Sequence, residues 1–462
     1  MRPGEGGLAP SWPVRAFGGG SKPTTMGVFS RRDDSGAAAV RLIDIKMNLH
    51  RRLLDVLNLA AVETMTRGTL ETEVGTHVRA LLAEQPAPLN QAEKTRLVDE
   101  VLDELTGLGP LEPLLKDATV SDILVNTYRD VFVELDGRLE ITPVRFKDHL
   151  HLLRIIDKVG SSVGRRIDES QPMVDARLAD GSRVNAIVPP LAVDGPLLSI
   201  RKFAPTAIDM ARLVELGTLP KAVADLLQGL VRCRRNVIIS GGTGSGKTTL
   251  LNAMSAAIGD RERIVTIEDA AELQLQQRHV ARLETRPANL EGRGEVTQRD
   301  LVRNALRMRP DRIIIGEVRA GEAFDMMQAM NTGHEGSMST IHANSCRDAL
   351  LRLEQMLSMA GLDLSSRTLR GQIASALHVI VQLERMSDGR RRLVSLSEVA
   401  GLEGETVMIQ DIARFEREGT DKDGGVRGRF RATGVRPHFV RMFQTYGLEV
   451  PDDGFDPDRL MT

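Results

Sequence analysis

The sequence predicts an α/β protein whose C-terminal half contains a parallel sheet, preceded by an α+β region and a helical bundle. Three observations support this fold class. Residues 236–249 read NVIISGGTGSGKTT, which combines a strand, a glycine-rich loop and the start of a helix. Residues 210–462 alternate strand-like and helical segments, as parallel sheets with crossover helices do. Upstream, a helical pattern over 41–106 gives way to short strands over 107–203.

The first segment, residues 1–40, is rich in Gly, Pro, Ser, Ala and Arg. Such a composition buries too little apolar surface to offset the entropy of ordering, so we expect a disordered tail. Within this tail, Met26 is an alternative to Met1 as the first residue of the protein. Apolar residues over 41–106 recur with helical spacing, which predicts a three-helix bundle with Asn90 capping its third helix. In the alternative interpretation, these helices belong to the domain that follows.

Residues 107–203 have the pattern of a small α+β domain. Two hairpins are predicted, one turning at Asp136-Gly137 and one at Ala179-Asp180-Gly181-Ser182. A helix is expected over His149–Val159. Residues 204–209 contain Pro205 and form the predicted linker to the C-terminal domain over 210–462.

Composition limits the function classes. The 61 basic and 63 acidic residues give a net charge of −2, so no basic surface for nucleic acid is required, and the 3% aromatic content disfavours base stacking. The two cysteines fit a reducing compartment. No apolar run has the length of a membrane span. We therefore expect a cytoplasmic protein whose association with a membrane would come through partners or surface contacts.

The glycine-rich loop fits G-x-x-x-x-G-K-[ST], the phosphate-binding loop of nucleotide hydrolases. Its glycines let backbone N–H groups point at phosphate oxygens, and the following helix adds positive potential. Lys247 is expected to reach the β- and γ-phosphates of ATP, and the Thr248 hydroxyl to ligate Mg²⁺. The predicted phosphate-binding residues are Gly241, Gly242, Thr243, Gly244, Ser245, Gly246, Lys247, Thr248 and Thr249.

Acidic residues follow two further predicted strands. Residues 264–272 read IVTIEDAAE, with Glu268 and Glu272 near the strand end. Residues 309–319 read RPDRIIIGEVR, which puts Glu317 at the tip of a buried strand and Gly316 where nucleotide hydrolases commonly have Asp. Ligands of parallel sheets lie beyond the carboxyl ends of the strands. Without that Asp, Thr248 and water must supply more of the Mg²⁺ ligation, and Glu317 is left as base or outer ligand.

A third polar segment, residues 333–344, reads GHEGSMSTIHAN. His334 and His342 bracket a polar strand in it. Hydrogen-bonding groups of this kind near a γ-phosphate can sense hydrolysis.

The phosphate loop, IEDxxE, GE and GHxxxxTxH together resemble the secretion ATPases of type II secretion, type IV pili and type IV secretion. Within that family, the chain is most similar to the Flp (tight-adherence, Tad) pilus assembly ATPases. Residues 88–115, 120–126, 163–203, 299–344 and 371–383 carry this narrower resemblance, which extends over roughly 45–440. It implies a homohexamer of chains with a RecA-like P-loop ATPase domain, an α+β N-terminal domain and a helical bundle. The implied cofactors are ATP and Mg²⁺, and the implied partners are inner-membrane pilus platform proteins and a polar localisation factor.

The resemblance also implies roles for individual residues. Glu272 matches the last acidic residue of the family's Asp box and competes with Glu317 for the role of general base. Glu268 joins Thr248 and Glu317 as a metal residue, partly through water. His334 and His342 couple the site to domain movement. The candidate arginine fingers are Arg183 and Arg201, with Arg307 and Arg309 as weaker alternatives.

The predicted function is that of an ATP-hydrolysing motor that powers assembly, and in one version retraction, of Flp/Tad pili. The alternative is a type IV secretion or conjugation ATPase that moves protein or DNA. A third interpretation, a scaffold that binds ATP without rapid turnover, is disfavoured by the presence of Lys247, Glu272 and Glu317.

Overall fold

The computed structural model describes residues 67–84, 90–135, 137–203, 208–288, 292–422, 424–450 and 452–458, together with Leu49, Arg52 and Leu53. The predicted disordered tail, most of the first predicted helix and residues 204–207 of the predicted linker lie outside these ranges. Among the described residues, no helix is both long enough and apolar enough to span a bilayer.

Two helices of the predicted bundle, α1 (Arg67–Glu84) and α2 (Gln91–Thr106), pack together. Their buried apolar residues, with Leu49 and Leu53, form a separate small core. Asn90 caps α2 as predicted: its side chain accepts from the Glu93 amide at 2.9 Å, and the Glu93 carboxylate accepts from the Asn90 amide at 2.8 Å. This reciprocal pair satisfies two otherwise unpaired backbone donors. A short helix, α3 (Glu112–Lys116), leads into the first sheet.

The first sheet and its helix consist of β1 (Val120–Val125), β2 (Val131–Leu135), β3 (Arg138–Ile141), α4 (His149–Ser162), β4 (Met173–Arg177), β5 (Arg183–Ile187) and β6 (Leu197–Arg201). The sheet is antiparallel and has six strands in the order β3-β2-β1-β6-β5-β4. Both predicted hairpins, β2–β3 and β4–β5, are present, and the predicted helix is α4. Apolar residues of the sheet and of α4 share one core.

The second sheet and its helices consist of α5 (Met210–Glu215), α6 (Lys221–Arg232), β7 (Val237–Gly241), α7 (Lys247–Ser255), β8 (Ile264–Glu268), β9 (Val280–Glu284), α8 (Gln298–Ala305), β10 (Arg312–Val318), α9 (Glu322–Asn331), β11 (Met338–Ile341), α10 (Cys346–Ser358), α11 (Ser366–Ala376), β12 (Val379–Arg385), β13 (Arg391–Glu403), β14 (Thr406–Thr420), β15 (Val426–Ala432) and α12 (Val440–Thr445). The sheet has nine strands in the order β15-β14-β13-β12-β7-β11-β10-β8-β9. The strands from β12 to β9 in this order are parallel, with β7 between β11 and β12, which confirms the RecA-like α/β fold.

The expectation of a parallel sheet throughout 210–462 is wrong for the last three strands. β13, β14 and β15 extend the sheet as antiparallel neighbours of β12. The reason is the length of the connections, because a tight turn can join only antiparallel strands, whereas parallel strands need a long crossover. Gly389 (φ 83°) and Gly404 (φ 60°) supply the left-handed backbone in two of these turns.

Candidate active site

The phosphate loop joins the carboxyl end of β7 to the start of α7. All of β7 is buried, and Gly244 (φ 68°) and Gly246 (φ 94°) have left-handed backbone conformations. At Gly241, a Cβ atom would lie 2.5 Å from both the Leu383 carbonyl oxygen and the Ser245 hydroxyl. Glycine is therefore required at these positions by backbone conformation or by space.

Lys247 is folded into this loop and is only 8% exposed. Its Nζ donates to the carbonyl oxygens of Gly241 (3.0 Å) and Gly242 (2.8 Å). Burial lowers the pKa of Lys247 to about 8, with Glu317 opposing that shift and Arg319 and Arg201 adding to it. The ammonium group thus already sits inside the loop, where phosphate oxygens would replace the carbonyl oxygens.

Glu317 belongs to a cluster of charged groups at the carboxyl end of β10. Its Oε2 accepts from Arg319 Nη2 at 2.8 Å, and its Oε1 lies 3.8 Å from His342 Nε2. Arg319 also contacts Asp269 at 3.1 Å, so it bridges two carboxylates. The hydrogen bond that Arg319 donates to Glu317 raises the pKa of Arg319, whereas burial and then Lys247 lower the pKa of His342. The lowered pKa favours the neutral imidazole of His342, which can donate or accept a hydrogen bond.

The glycine that replaces the usual Asp has a steric explanation. A Cβ at Gly316 would lie 2.9 Å from Cγ of Glu268. Glu268 is 3% exposed and fixed, since its Oε1 accepts from the backbone amides of Glu272 and Leu273 at 2.9 Å. Desolvation raises the pKa of Glu268, against the lowering effect of these two hydrogen bonds. The observed contacts of Glu268 are with backbone, and its role at a metal stays a prediction.

A cavity of about 220 Å³ lies beside the phosphate loop, between the two sheets. Arg183 and Arg201 line it from the six-stranded sheet, and Thr248 and Thr249 of α7 and Glu272 of the loop after β8 line the opposite side. Arg183 pairs with Glu272 across the gap at 2.7 Å. Arg201 pairs with Asp122 of its own sheet at 3.1 Å. The remaining lining residues are Gly181, Lys202, Phe203, Ile208, Asn252 and Gln274.

Three predicted residues do not join this group within one chain. His334 precedes β11, and the parallel register of β11 with β7 puts Met338 beside Val237 and Ile341 beside Ser240. His334 therefore lies toward the amino ends of the parallel strands, whereas His342 follows the carboxyl end of β11. Arg307 and Arg309 precede β10, so they also lie toward the amino ends of the parallel strands.

Sequence reasoning missed Arg319, although the signal was present. Residues two apart along an extended chain share a face, so Glu317 predicts its neighbour at 319. It also missed Arg177 on β4, which donates to the Ala271 carbonyl at 2.9 Å and pairs with Glu284 at 2.9 Å. Nothing local in the sequence indicates that contact, because it joins two separate sheets.

Mg²⁺ fits this site only together with a nucleotide. Mg²⁺ prefers oxygen ligands and commonly uses one or two protein groups plus substrate phosphates. The Thr248 hydroxyl and the Glu317 carboxylate offer that chemistry beside Lys247. Within the described ranges, no three His, Cys, Asp or Glu side chains form a metal-binding group. The nucleotide would have to provide the other ligands.

The family model described as "Type II/IV secretion system protein" matches residues 104–436. The chain belongs to the type II/IV secretion system protein family. This secretion-family protein is an ATPase, and the family assignment supports the coarser level of the predicted resemblance. The narrower assignment to Flp/Tad pili is not carried by the names of the relatives described below.

This secretion-family ATPase aligns with most of the length of two curated relatives. A putative conjugal transfer protein of Mycobacterium tuberculosis is 42% identical over 65% of this chain and 87% of its own. The conjugal transfer protein TrbB of Rhizobium radiobacter is 34% identical over 67% of this chain and 91% of its own. Among solved structures, the VirB11 ATPase of Brucella suis is 28% identical over 63% of this chain and 95% of its own, with a TM-score of 0.34.

The pKa of Lys247 predicts a pH dependence of nucleotide binding by this secretion-family ATPase. Phosphate groups favour the charged ammonium, and a free-site pKa near 8 means that this charge is lost as the pH rises through 8. The Kd for ATP should therefore rise about tenfold between about pH 7 and about pH 9. Fluorescence titration with an ATP analogue measures it. In Lys247→Arg the guanidinium stays charged, so a slope that persists in this variant would assign the titration to another group.

Proposed function

We propose that this ATPase uses hydrolysis at the phosphate loop to drive macromolecular cargo through a type IV secretion or conjugal-transfer machinery. The observation that carries the proposal is the 2.7 Å Arg183–Glu272 pair, which joins the six-stranded sheet to the loop after β8. Both residues line the same cavity as Thr248. A nucleotide in this cavity would contact the six-stranded sheet on one side and α7 on the other, so its binding and loss would alter how the two parts sit together. The names of the relatives support cargo transfer as the use of that movement.

The proposed chemistry uses residues already in place. Lys247 exchanges its two carbonyl partners for phosphate oxygens, and loop amides orient the phosphates. Glu317 orients the attacking water and accepts its proton, while His342 reports the state of the γ-phosphate. Arg183 leaves Glu272 to neutralise developing charge. Mg²⁺, held by the Thr248 hydroxyl and through water by Glu317, would supply further charge neutralisation to the phosphates.

The second candidate is assembly of Flp/Tad pili. The segments over 88–115, 163–203 and 299–344 favour it, because they carry the narrower resemblance. Under either function we propose a homohexamer in the cytoplasm, attached to the inner membrane through platform proteins. A polar localisation factor is a further proposed partner of the pilus motor. The two candidates share their ATPase chemistry and differ in cargo.

A Lys247→Ala variant distinguishes these candidates in cells that carry it as their only copy. We expect loss of DNA or protein transfer with pili intact, because the variant lacks the ammonium that binds phosphate. Loss of pili with transfer intact would instead establish the pilus motor. Loss of neither would overturn both. Lys221→Ala, which removes an exposed lysine on α6, is the matched control and should leave both phenotypes unchanged.

A further inference from the structure

Two arginines outside the predicted chemistry contact the phosphate loop. Arg391 Nε donates to the carbonyl oxygen of Gly244 at 2.9 Å. A Cβ at Gly244 would lie 3.4 Å from Nη1 of Arg385, and one at Gly246 would lie 3.5 Å from Cδ of Arg391. Both guanidinium groups therefore pack against the loop itself.

The sheet explains why these two residues reach the loop. β12 runs parallel to β7, and Leu383 pairs with Gly241 at the point where β7 ends. Arg385 lies two residues further along β12, and Arg391 pairs with it across the β12–β13 turn. The pair therefore extends beyond the sheet alongside the phosphate loop.

The same two arginines also reach the six-stranded sheet. Oε1 of Glu134, on β2, lies 3.6 Å from Arg385 Nη2 and 3.7 Å from Arg391 Nη2. Arg385 Nη2 in addition donates to the carbonyl oxygen of Gly137, in the β2–β3 turn. The Glu134 side chain is half-buried, at 15% exposure, so these contacts are partly shielded from solvent.

This arrangement forms a continuous chain of contacts from Glu134 through Arg391 to Gly244. The Gly244 carbonyl must point away from a bound phosphate if the loop amides are to point toward it. A guanidinium donor on that carbonyl favours this orientation of the peptide. The contact to Glu134 in turn restricts where the guanidinium can lie, because the carboxylate attracts it.

We propose that Arg391 and Arg385 are positioning residues for the phosphate loop, and that Glu134 of the six-stranded sheet orients them. The position of that sheet therefore sets the affinity of the loop for nucleotide. This proposal rests on the proposed function of the loop as the nucleotide site. Lys247→Ala tests that function separately, since a variant that still binds and hydrolyses ATP would overturn the site itself.

The test is a set of variants of the full chain, with KM and kcat for ATP and the Kd of a fluorescent ADP measured for each. Losing a hydrogen bond from a charged donor should raise KM and Kd about fivefold in Arg391→Gln, with a smaller change in kcat. Glu134→Gln should also raise KM and Kd. In an Arg385→Gln, Arg391→Gln background, however, Glu134→Gln should have no further effect, because Glu134 acts through these arginines.

Arg390→Gln is the matched control, since it removes the same charge from an exposed position in the same turn. It should leave KM and Kd unchanged. Three results would overturn the proposal: an Arg390→Gln effect equal to that of Arg391→Gln, an additive effect of Glu134→Gln in the double-arginine background, or an unchanged Kd in Arg391→Gln. Arg391→Lys should restore part of the affinity, which distinguishes lost positioning from general loss of folding.

Discussion

A Glu317→Gln variant is expected to bind ATP normally and to hydrolyse it about 100- to 10,000-fold more slowly than the unaltered chain. Glutamine keeps the shape of the side chain and its contact with Arg319, but it cannot accept a proton from water. The charge of Glu317 also acts on Lys247 and faces His342, which places it beside the reacting groups. Steady-state phosphate release and nucleotide titration measure the two effects separately.

Glu272→Gln is the decisive comparison, because Glu272 is the rival for the general base. Its carboxylate is paired with Arg183 in the structure, so we expect the neutral variant to disturb that pair and to change turnover less than Glu317→Gln does. The reverse order would reassign the base to Glu272. Glu335→Gln, at an exposed position beside His334, is the control for loss of one carboxylate.

A Gly316→Asp variant, which restores the acidic residue usual in nucleotide hydrolases, is expected to damage this protein. The new Cβ would lie 2.9 Å from Cγ of Glu268, which two backbone hydrogen bonds hold in place. The added carboxylate would also face a buried one. We expect a destabilisation of about 3 kcal/mol, seen as a lowered Tm of the purified protein.

Gly316→Ala isolates the steric part of this effect. It should lower the Tm less than Gly316→Asp, because it adds the Cβ without the charge. In a Glu268→Ala background the Gly316→Ala cost should largely disappear, since the clashing Cγ atom is gone. A cost that is unchanged in that background would show that contact with Glu268 is not the cause.

Much of the fold was predictable because the signals for it are local. The capping pair at Asn90, the hairpin turns of the six-stranded sheet and the strand–loop–helix around Lys247 each depend on residues close in sequence. The antiparallel strands β13–β15 were not predicted, because the alternation of strands and helices was assumed to continue beyond β12. The tight turns between these strands favour antiparallel pairing instead.

The sequence predicts several of the charged residues around the phosphate loop but not their contacts, and their roles stay predictions. In the structure Glu317 acts on Lys247, and Arg183 lines the cavity beside the loop together with Thr248. The sequence could not reveal that Arg183 faces Glu272, or that Arg391 faces Gly244. Those pairings depend on how strands distant in sequence align, which local patterns do not encode.

The close approach of residues 316 and 268 has an evolutionary consequence. Two positions that are far apart in sequence share one small volume, so neither can enlarge unless the other shrinks. Descendants of this chain that gain an acidic side chain at position 316 should first lose bulk at position 268. A chain that made these two changes in the opposite order would first carry the loss of stability expected of Gly316→Asp.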